Sequence, residues 1–289
     1  MNTKFAYPLT DSTFKLIFGQ NKHKQLTIDF LNDFLERKGT KIIEDISFMH
    51  QEQNPRDFGA KKSILDINCK DQAGNHFIIE IQREREYFFD MRALYYASSL
   101  LSRQLKETDP YNQLKPVIII GILDFILYKP SDQVITHHMI CDMSTGKQSI
   151  DLIELHFIEL SKFNKKVDEL ISHIDKWIFF LKNAQNLLEI PKNYQDTPSI
   201  QEAFHLVDRL NWTPQQNRQY ENEVRAMQRD ITQDLAEAKE LEDAIEQGAL
   251  KKAESVALHG LQKGLDLSLI QELTGLSVEQ IAVLRKKIS

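Results

Sequence analysis

Only two of the 289 residues are cysteine, Cys69 and Cys141, each in an apolar strand-like run with no second pair nearby. That scarcity leaves no disulfide framework and no cysteine-rich zinc site, and it points to two buried thiols. Long apolar runs are also missing. The longest, residues 117–128, is interrupted by Asp124 and is too short to span a bilayer. No charged-then-apolar leader opens the sequence, so a cytoplasmic protein without a membrane partner is expected. Glycine-rich phosphate loops are absent: Gly19, Gly59 and Gly121 lack the required neighbours, which argues against an ATP-driven activity. Nor is there an excess of positive charge. The net charge of −6 argues against a protein that grips nucleic acid over its whole surface. Residues 1–150 hold 19 Lys+Arg and 19 Asp+Glu, residues 151–289 hold 17 and 23, and the acidic surplus lies entirely in the second half. A nucleic-acid surface must then be a local patch, and its binding should weaken as salt rises.

What is present can bury a core. At 42% hydrophobic and 27% charged, the chain reads as one main globular domain with an appendage. Phe14, Ile17 and Phe18 at helical spacing predict a short first helix, with Asp11 and Ser12 as candidate N-caps. Leu26, Phe30, Leu31, Phe34 and Leu35 predict a second, stopped by Gly39. Ile64–Lys70 and His76–Gln82 predict two strands of a hairpin around the turn at 71–75, where Gly74 and Asn75 tolerate positive φ. A helix over 89–105 should pack Met91, Leu94, Leu101 and Leu105 on the sheet. Val117–Leu123, a continuous branched run, predicts a strand buried on both faces and parallel to a neighbour. Further strands are expected at 134–141 and 152–160, then helix over 161–188 and a break at 191–198.

From about residue 214 to 248, Val224, Met227, Ile231, Leu235, Ala238, Leu241 and Ile245 form a loose apolar seam. Asp234 sits where a heptad needs an apolar residue, so a long packed helix fits better than a strict coiled coil. Two short helices end the chain, at 267–273 and 278–287, with Ser277 and Gln280 as a capping box. They resemble a helix-turn-helix only in outline, because Arg285, Lys286 and Lys287 come at the very end; docking or self-association explains them equally well. The division expected is a core domain at 1–198 and a helical region at 199–289.

The chemistry concentrates on the hairpin. About its turn, Ile67 faces Ile79 and Asp66 faces Glu80. Alternation puts Leu65, Ile67, Cys69, Phe77, Ile79 and Ile81 on one buried face and Asp66, Asn68, Lys70, His76, Glu80 and Gln82 on the other. Two carboxylates across a strand pair, with β-carbons about 5 Å apart, repel unless a positive charge stands between them. A magnesium ion suits that place, since it takes oxygen ligands and is commonly held by one or two carboxylates plus substrate phosphate oxygens. Gln82, two residues beyond Glu80, points the same way and could orient a water or a phosphate through its amide. The plain alternative is the wet face of an amphipathic hairpin. His137 and His138, being adjacent on a strand, point to opposite faces and form no ligand pair. Arg92, Tyr96, Ser99 and Arg103 fall on one polar helix face that could contact phosphates and stack on a base, or simply face water.

In its motifs the chain resembles the PD-(D/E)XK nuclease superfamily, and within it the recombination-promoting nuclease and transposase family. The resemblance rests on Asp-Ser-Thr-Phe-Lys-Leu-Ile-Phe-Gly at 11–19, on Ile-Leu-Asp-Ile at 64–67 leading to Ile-Glu-Ile-Gln at 79–82, on Arg-Gln-Leu at 103–105, and on Lys-Pro-Val-Ile at 115–118 leading to Ile-Leu-Asp-Phe at 122–125. Lys-Gly-Leu at 263–265 and Leu-Thr-Gly-Leu-Ser at 273–277 resemble the family's tail. It implies an α/β, restriction-endonuclease-like mixed sheet flanked by helices, followed by an α-helical C-terminal tail. It implies a metal-dependent DNA endonuclease linked to recombination, mobile elements or defence, using Mg2+ with Mn2+ able to substitute. By position, Asp66 and Glu80 match the metal-binding acids, Gln82 stands where the superfamily has lysine, and Asp11 matches the N-terminal acidic region, with Lys15 one turn on. The glutamine departs from the superfamily pattern and is the residue that this family typically shows there. Two other readings stand beside this one: a binding module that keeps the fold without turnover, and an assembly factor forming homo-oligomers through the C-terminal helices.

Overall fold

A computed structural model describes residues 3–49, 52–53, 63–64 and 66–286, in two compact units, Met1–Glu223 and Val224–Ser289. Apolar character decides which strand lies at the centre. β6 (Val117–Leu123) is buried along its whole length, because seven apolar residues in a row can be hidden only where both faces are covered. It runs parallel to β5 (His76–Gln82) on one side and to β8 (Gln148–Glu159) on the other. β5 pairs antiparallel with β4 (Ile67–Asp71), β4 with β1 (Ile46–Phe48), and β7 (Ile135–Cys141) lines the far edge antiparallel to β8. The mixed six-stranded sheet therefore has the order β1-β4-β5-β6-β8-β7. β2 (Glu52–Gln53) and β3 (Ser63–Ile64) form a separate pair. Ile64 thus belongs to that pair, the hairpin's first strand begins at Ile67, and Leu65 lies outside the described residues.

The hairpin register follows its turn and its alternation: Ile67 faces Ile79, Cys69 faces Phe77 and Lys70 faces His76. Asp71 Oδ1 accepts the N–H groups of Ala73 and Asn75, and Gly74 takes φ +87°, a conformation that glycine adopts without a Cβ clash. Burial at the sheet centre pushes the Cys69 thiol up to about 12. Cys141, at the end of edge strand β7, is exposed, correcting the expectation of two buried thiols; register shifts after Met139 carry that end of the strand off the core.

Helices cover both faces. α1 (Asp11–Phe18), α2 (Lys24–Phe34), α4 (His173–Asn183) and α5 (Pro198–Val207) pack together through Phe14, Phe18, Phe30, Trp177, Phe180 and Phe204, with Gly19 seated on Ile67. α3 (Phe89–Ser102) lies across β6 and β8. The N-cap of α1 is Thr10, whose side chain accepts the Thr13 N–H, rather than Asp11 or Ser12. α2 ends at Phe34; the chain turns left-handed at Glu36 (φ 49°), before Gly39 does the same in the next turn.

The first unit runs past residue 198. α5 buries Phe204 and Val207, and the N-terminal segment bridges to the residues that follow it: Ala6 N–H donates to the Val207 carbonyl at 2.8 Å and Arg209 N–H to the Lys4 carbonyl at 3.0 Å. α6 (Pro214–Gln262) is 49 residues long. On it Ile231, Leu235, Leu241 and Ile245 are exposed, whereas the side chains of Asp234 and Ala238 lie outside the described part. In the second unit, α7 (Leu267–Thr274) and α8 (Val278–Lys286) close over Ala257 with Ile270, Leu276, Ile281 and Leu284. Ser277 and Gln280 make the reciprocal bonds of a capping box, at 2.7 and 3.3 Å, while Lys287 lies outside the described residues. Among the described residues no helix is long and apolar enough to cross a membrane.

Candidate active site

β5 carries Glu80 near its end, and Asp66 stands at a bend one residue before β4. Backbone groups hold both acids: Asp66 Oδ2 accepts the Ile81 N–H at 2.8 Å, and the Glu80 carboxylate meets the Asp66 N–H. Continuing the register of the hairpin sets the two residues opposite each other at one end of the strand pair. Glu80 is 3% exposed, and its Oε1 is buried without a hydrogen-bond partner among the described residues. Burial, reinforced by the Asp66 charge, pushes the Glu80 carboxyl up to about 8 against the pull of Arg92. Burial also raises Asp66, opposed by the bond from Ile81, while the Asp11 charge adds to the rise.

The alternative of a wet hairpin face does not hold at Asn68, His76 and Glu80. Asn68, His76 and Glu80 are buried with Ile78, because α3 covers that side of the sheet. It does so through Phe89, Ala93 and Ala97, with Leu101 packed against them as expected, whereas Met91 is 64% and Leu94 48% exposed. Small side chains let the helix lie close, and Gly121, the neighbour of Glu80 on β6, lets it lie closer. A Cβ there would come 2.6 Å from the Phe89 ring and 2.9 Å from Phe157.

Close seating of α3 delivers Arg92 to the acids. Its guanidinium is 3.8 Å from Glu80 Oε2, pairs with Glu86, and lies 4.9 Å from the Phe89 ring centroid and 5.7 Å from that of Tyr96. Arg92 therefore turns inward rather than onto an open polar face, and half-buried Tyr96 lies within its reach and that of Glu80. Arg103, the C-cap of the same helix, is eleven residues on, about 16 Å along the axis, and the structure does not bring it to the acids. Asp11 and Lys15 pair at 2.7 Å on α1, and both charges act on the Asp66 carboxyl. Gln82 is the last residue of β5, half-buried, with its carbonyl accepting the Asp124 N–H at 2.8 Å. Lys70 lies at the other end of the hairpin, opposite His76. His137 and His138 point apart as expected: His137 meets His156, and His138 lies against Tyr128 and Phe157.

Two features escaped sequence reasoning. Glu86 shares Arg92 with Glu80, in a loop that carries no periodic signal. The Tyr7 hydroxyl donates to Asp124 Oδ2 at 2.9 Å, beside the end of β5; the charge interrupting an apolar strand was the visible sign.

An orphaned, buried carboxylate oxygen beside a second carboxylate is a donor set for a hard cation, and Asp66 with Glu80 are the residues that could hold one. Among the described residues no group of three or more His, Cys, Asp or Glu gathers as a metal cluster, so a cation here would draw its remaining ligands from water and substrate.

A family model described as PD-(D/E)XK nuclease family transposase matches residues 8–238. No curated protein and no solved structure matches the chain.

Proposed function

The chain belongs to the PD-(D/E)XK nuclease family of transposases, with its restriction-endonuclease-like α/β fold, and on that premise we propose that it is an endonuclease cutting DNA with a divalent cation held by Asp66 and Glu80. The observation that carries this reading is the unpartnered, buried Glu80 Oε1 beside Asp66. A bound Mg2+, or Mn2+ in its place, supplies Lewis acidity at the scissile phosphate and lowers the pKa of a coordinated water. The chain's own groups do the rest. Asp66 is fixed by the Ile81 N–H on its Oδ2. Gln82 orients the attacking water or the phosphate through its amide and moves no proton. Lys15 meets a phosphate from the α1 side, with Asp11 holding its ammonium in place. Arg92 neutralises Glu80 while no cation is bound and is near enough to contact the phosphate afterwards.

The biological setting consistent with this chemistry is recombination, mobile elements or defence against foreign DNA, in the cytoplasm. Association of copies through residues 199–289 belongs to the same proposal, since Ile231, Leu235, Leu241 and Ile245 lie exposed on α6. The decisive experiment is plasmid cleavage with Mg2+ or Mn2+ by the native chain, Asp66→Ala and Glu80→Ala. Loss of cutting in both variants is expected, and equal cutting by all three overturns the assignment in favour of a binding module without turnover.

A further inference from the structure

α1, whose end seats Gly19 on Ile67 beside Asp66, forms one side of a cavity of about 280 Å3, lined by Asp11, Lys15, Leu16, Gln20, Trp212 and Gln216 among others. One wall is α1; the other is Trp212 and the first turns of α6. Both walls are fastened before any ligand arrives. Ser12 donates from N and Oγ to Glu223 Oε2 at 3.2 and 2.8 Å, and Tyr7 N–H donates to the Tyr220 hydroxyl at 2.9 Å. The indole of Trp212 is fixed by its Nε1–H on the Leu206 carbonyl at 2.7 Å and by edge contact with Tyr220.

We propose that this cavity receives an unstacked nucleobase of the DNA strand whose phosphate sits at Asp66 and Glu80. The inference rests on the nuclease reading and names a feature of its substrate. Three observations favour a base over a phosphate or a charged peptide. The one cation among the lining residues, Lys15, is shared between Asp11 and the phosphate at the acids, so the cavity has no further positive charge for a second anion. The lining combines the Trp212 indole with the carboxamides of Gln20, Gln216 and Gln219; Gln216 Oε1 already accepts from Thr213 and Gln219 Nε2 donates to Glu223, which leaves the Gln216 amide as donor and the Gln219 oxygen as acceptor for the polar edge of a flat ring. Asp11 and Lys15, which line it, are also the α1 charges that act on Asp66, and Tyr7, held by the Tyr220 hydroxyl, bonds Asp124 beside the end of β5, so α1 and Tyr7 link the cavity to the acids. The expected consequence is a preference for DNA with an unpaired base beside the cut.

The test uses the full chain with Ca2+ in place of Mg2+ to hold back turnover, and fluorescence anisotropy of three labelled DNAs: a perfect duplex, the duplex with one unpaired base, and the same duplex with an abasic residue replacing that base. The native chain should bind the unpaired base about tenfold tighter than the abasic site. Trp212→Leu, Gln20→Ala and the cavity-filling Gln219→Trp should each reduce that preference, while Trp212→Phe keeps most of it. Because Trp212→Leu removes packing on Tyr220, the Gln20 and Gln219 variants decide the matter if it fails to fold. Equal affinity for base and abasic DNA, or a preference untouched by Gln219→Trp, overturns the proposal. If the perfect duplex is still cut with Mg2+ in that case, only the base cavity falls; if no DNA is bound or cut, the nuclease reading falls with it.

Discussion

A carboxyl raised to about 8 from an ordinary 4.5, as Glu80 is, binds its proton more tightly in the folded chain than in the unfolded one. The stability linked to it is therefore complete below about pH 4.5 and is lost as pH rises through about 8. In chelator, the melting temperature should fall across that window. Glu80→Gln should flatten the slope and stabilise the metal-free protein at pH 8 by on the order of 1–3 kcal/mol, the usual cost of an unsatisfied buried polar group. The same substitution should abolish cleavage, which separates the stability of the site from its use. Arg92 gives a second check at this scale. It is the cation nearest Glu80, so Arg92→Met should lower the melting temperature in chelator. That deficit should shrink under saturating Mg2+, because the ion then supplies the missing charge; an unchanged deficit would mean that Arg92 acts only by packing on Phe89 and Tyr96.

Between elements, the contact of α3 with the sheet sets the position of Arg92, and Gly121 sets the contact. Gly121→Ala places a methyl within 2.6 Å of the Phe89 ring, and the overpacking should cost about 1–3 kcal/mol in denaturant unfolding. Arg92 follows Phe89 by less than one turn, so cleavage should fall as well. This contact also marks the limit of sequence reading. The hairpin register was legible, since a polar turn flanked by strict alternation admits one pairing in which Ile67 meets Ile79. The buried side of α3 was not. Hydrophobic size favoured Met91 and Leu94, whereas close approach selects Ala93 and Ala97, and that selection depends on a glycine on another strand. Inward rotation of Arg92 follows from the same contact. α5 was missed because its ten residues follow directly on a proline-rich break, although Pro198 is well placed at a helix start.

For the chain as a whole, the extent of the first unit is open to direct trial. A fragment ending at residue 198 lacks α5 and the bonds that hold residues 4–6, and it should show no cooperative melt by circular dichroism. A fragment ending at residue 230 keeps both, along with Tyr220 and Glu223, and should melt cooperatively. Comparing its sedimentation with that of the full chain tests self-association, with the longer protein expected to be the heavier species per chain. The backbone bonds joining Lys4 and Ala6 to Val207 and Arg209 also bear on the order of events during synthesis. A nascent chain cannot fasten residues 4–6, which lead into α1, until the ribosome has released residues beyond 209. The N-terminal side of the candidate site is thus completed late in translation, and on the nuclease reading a stalled or truncated product should not cut.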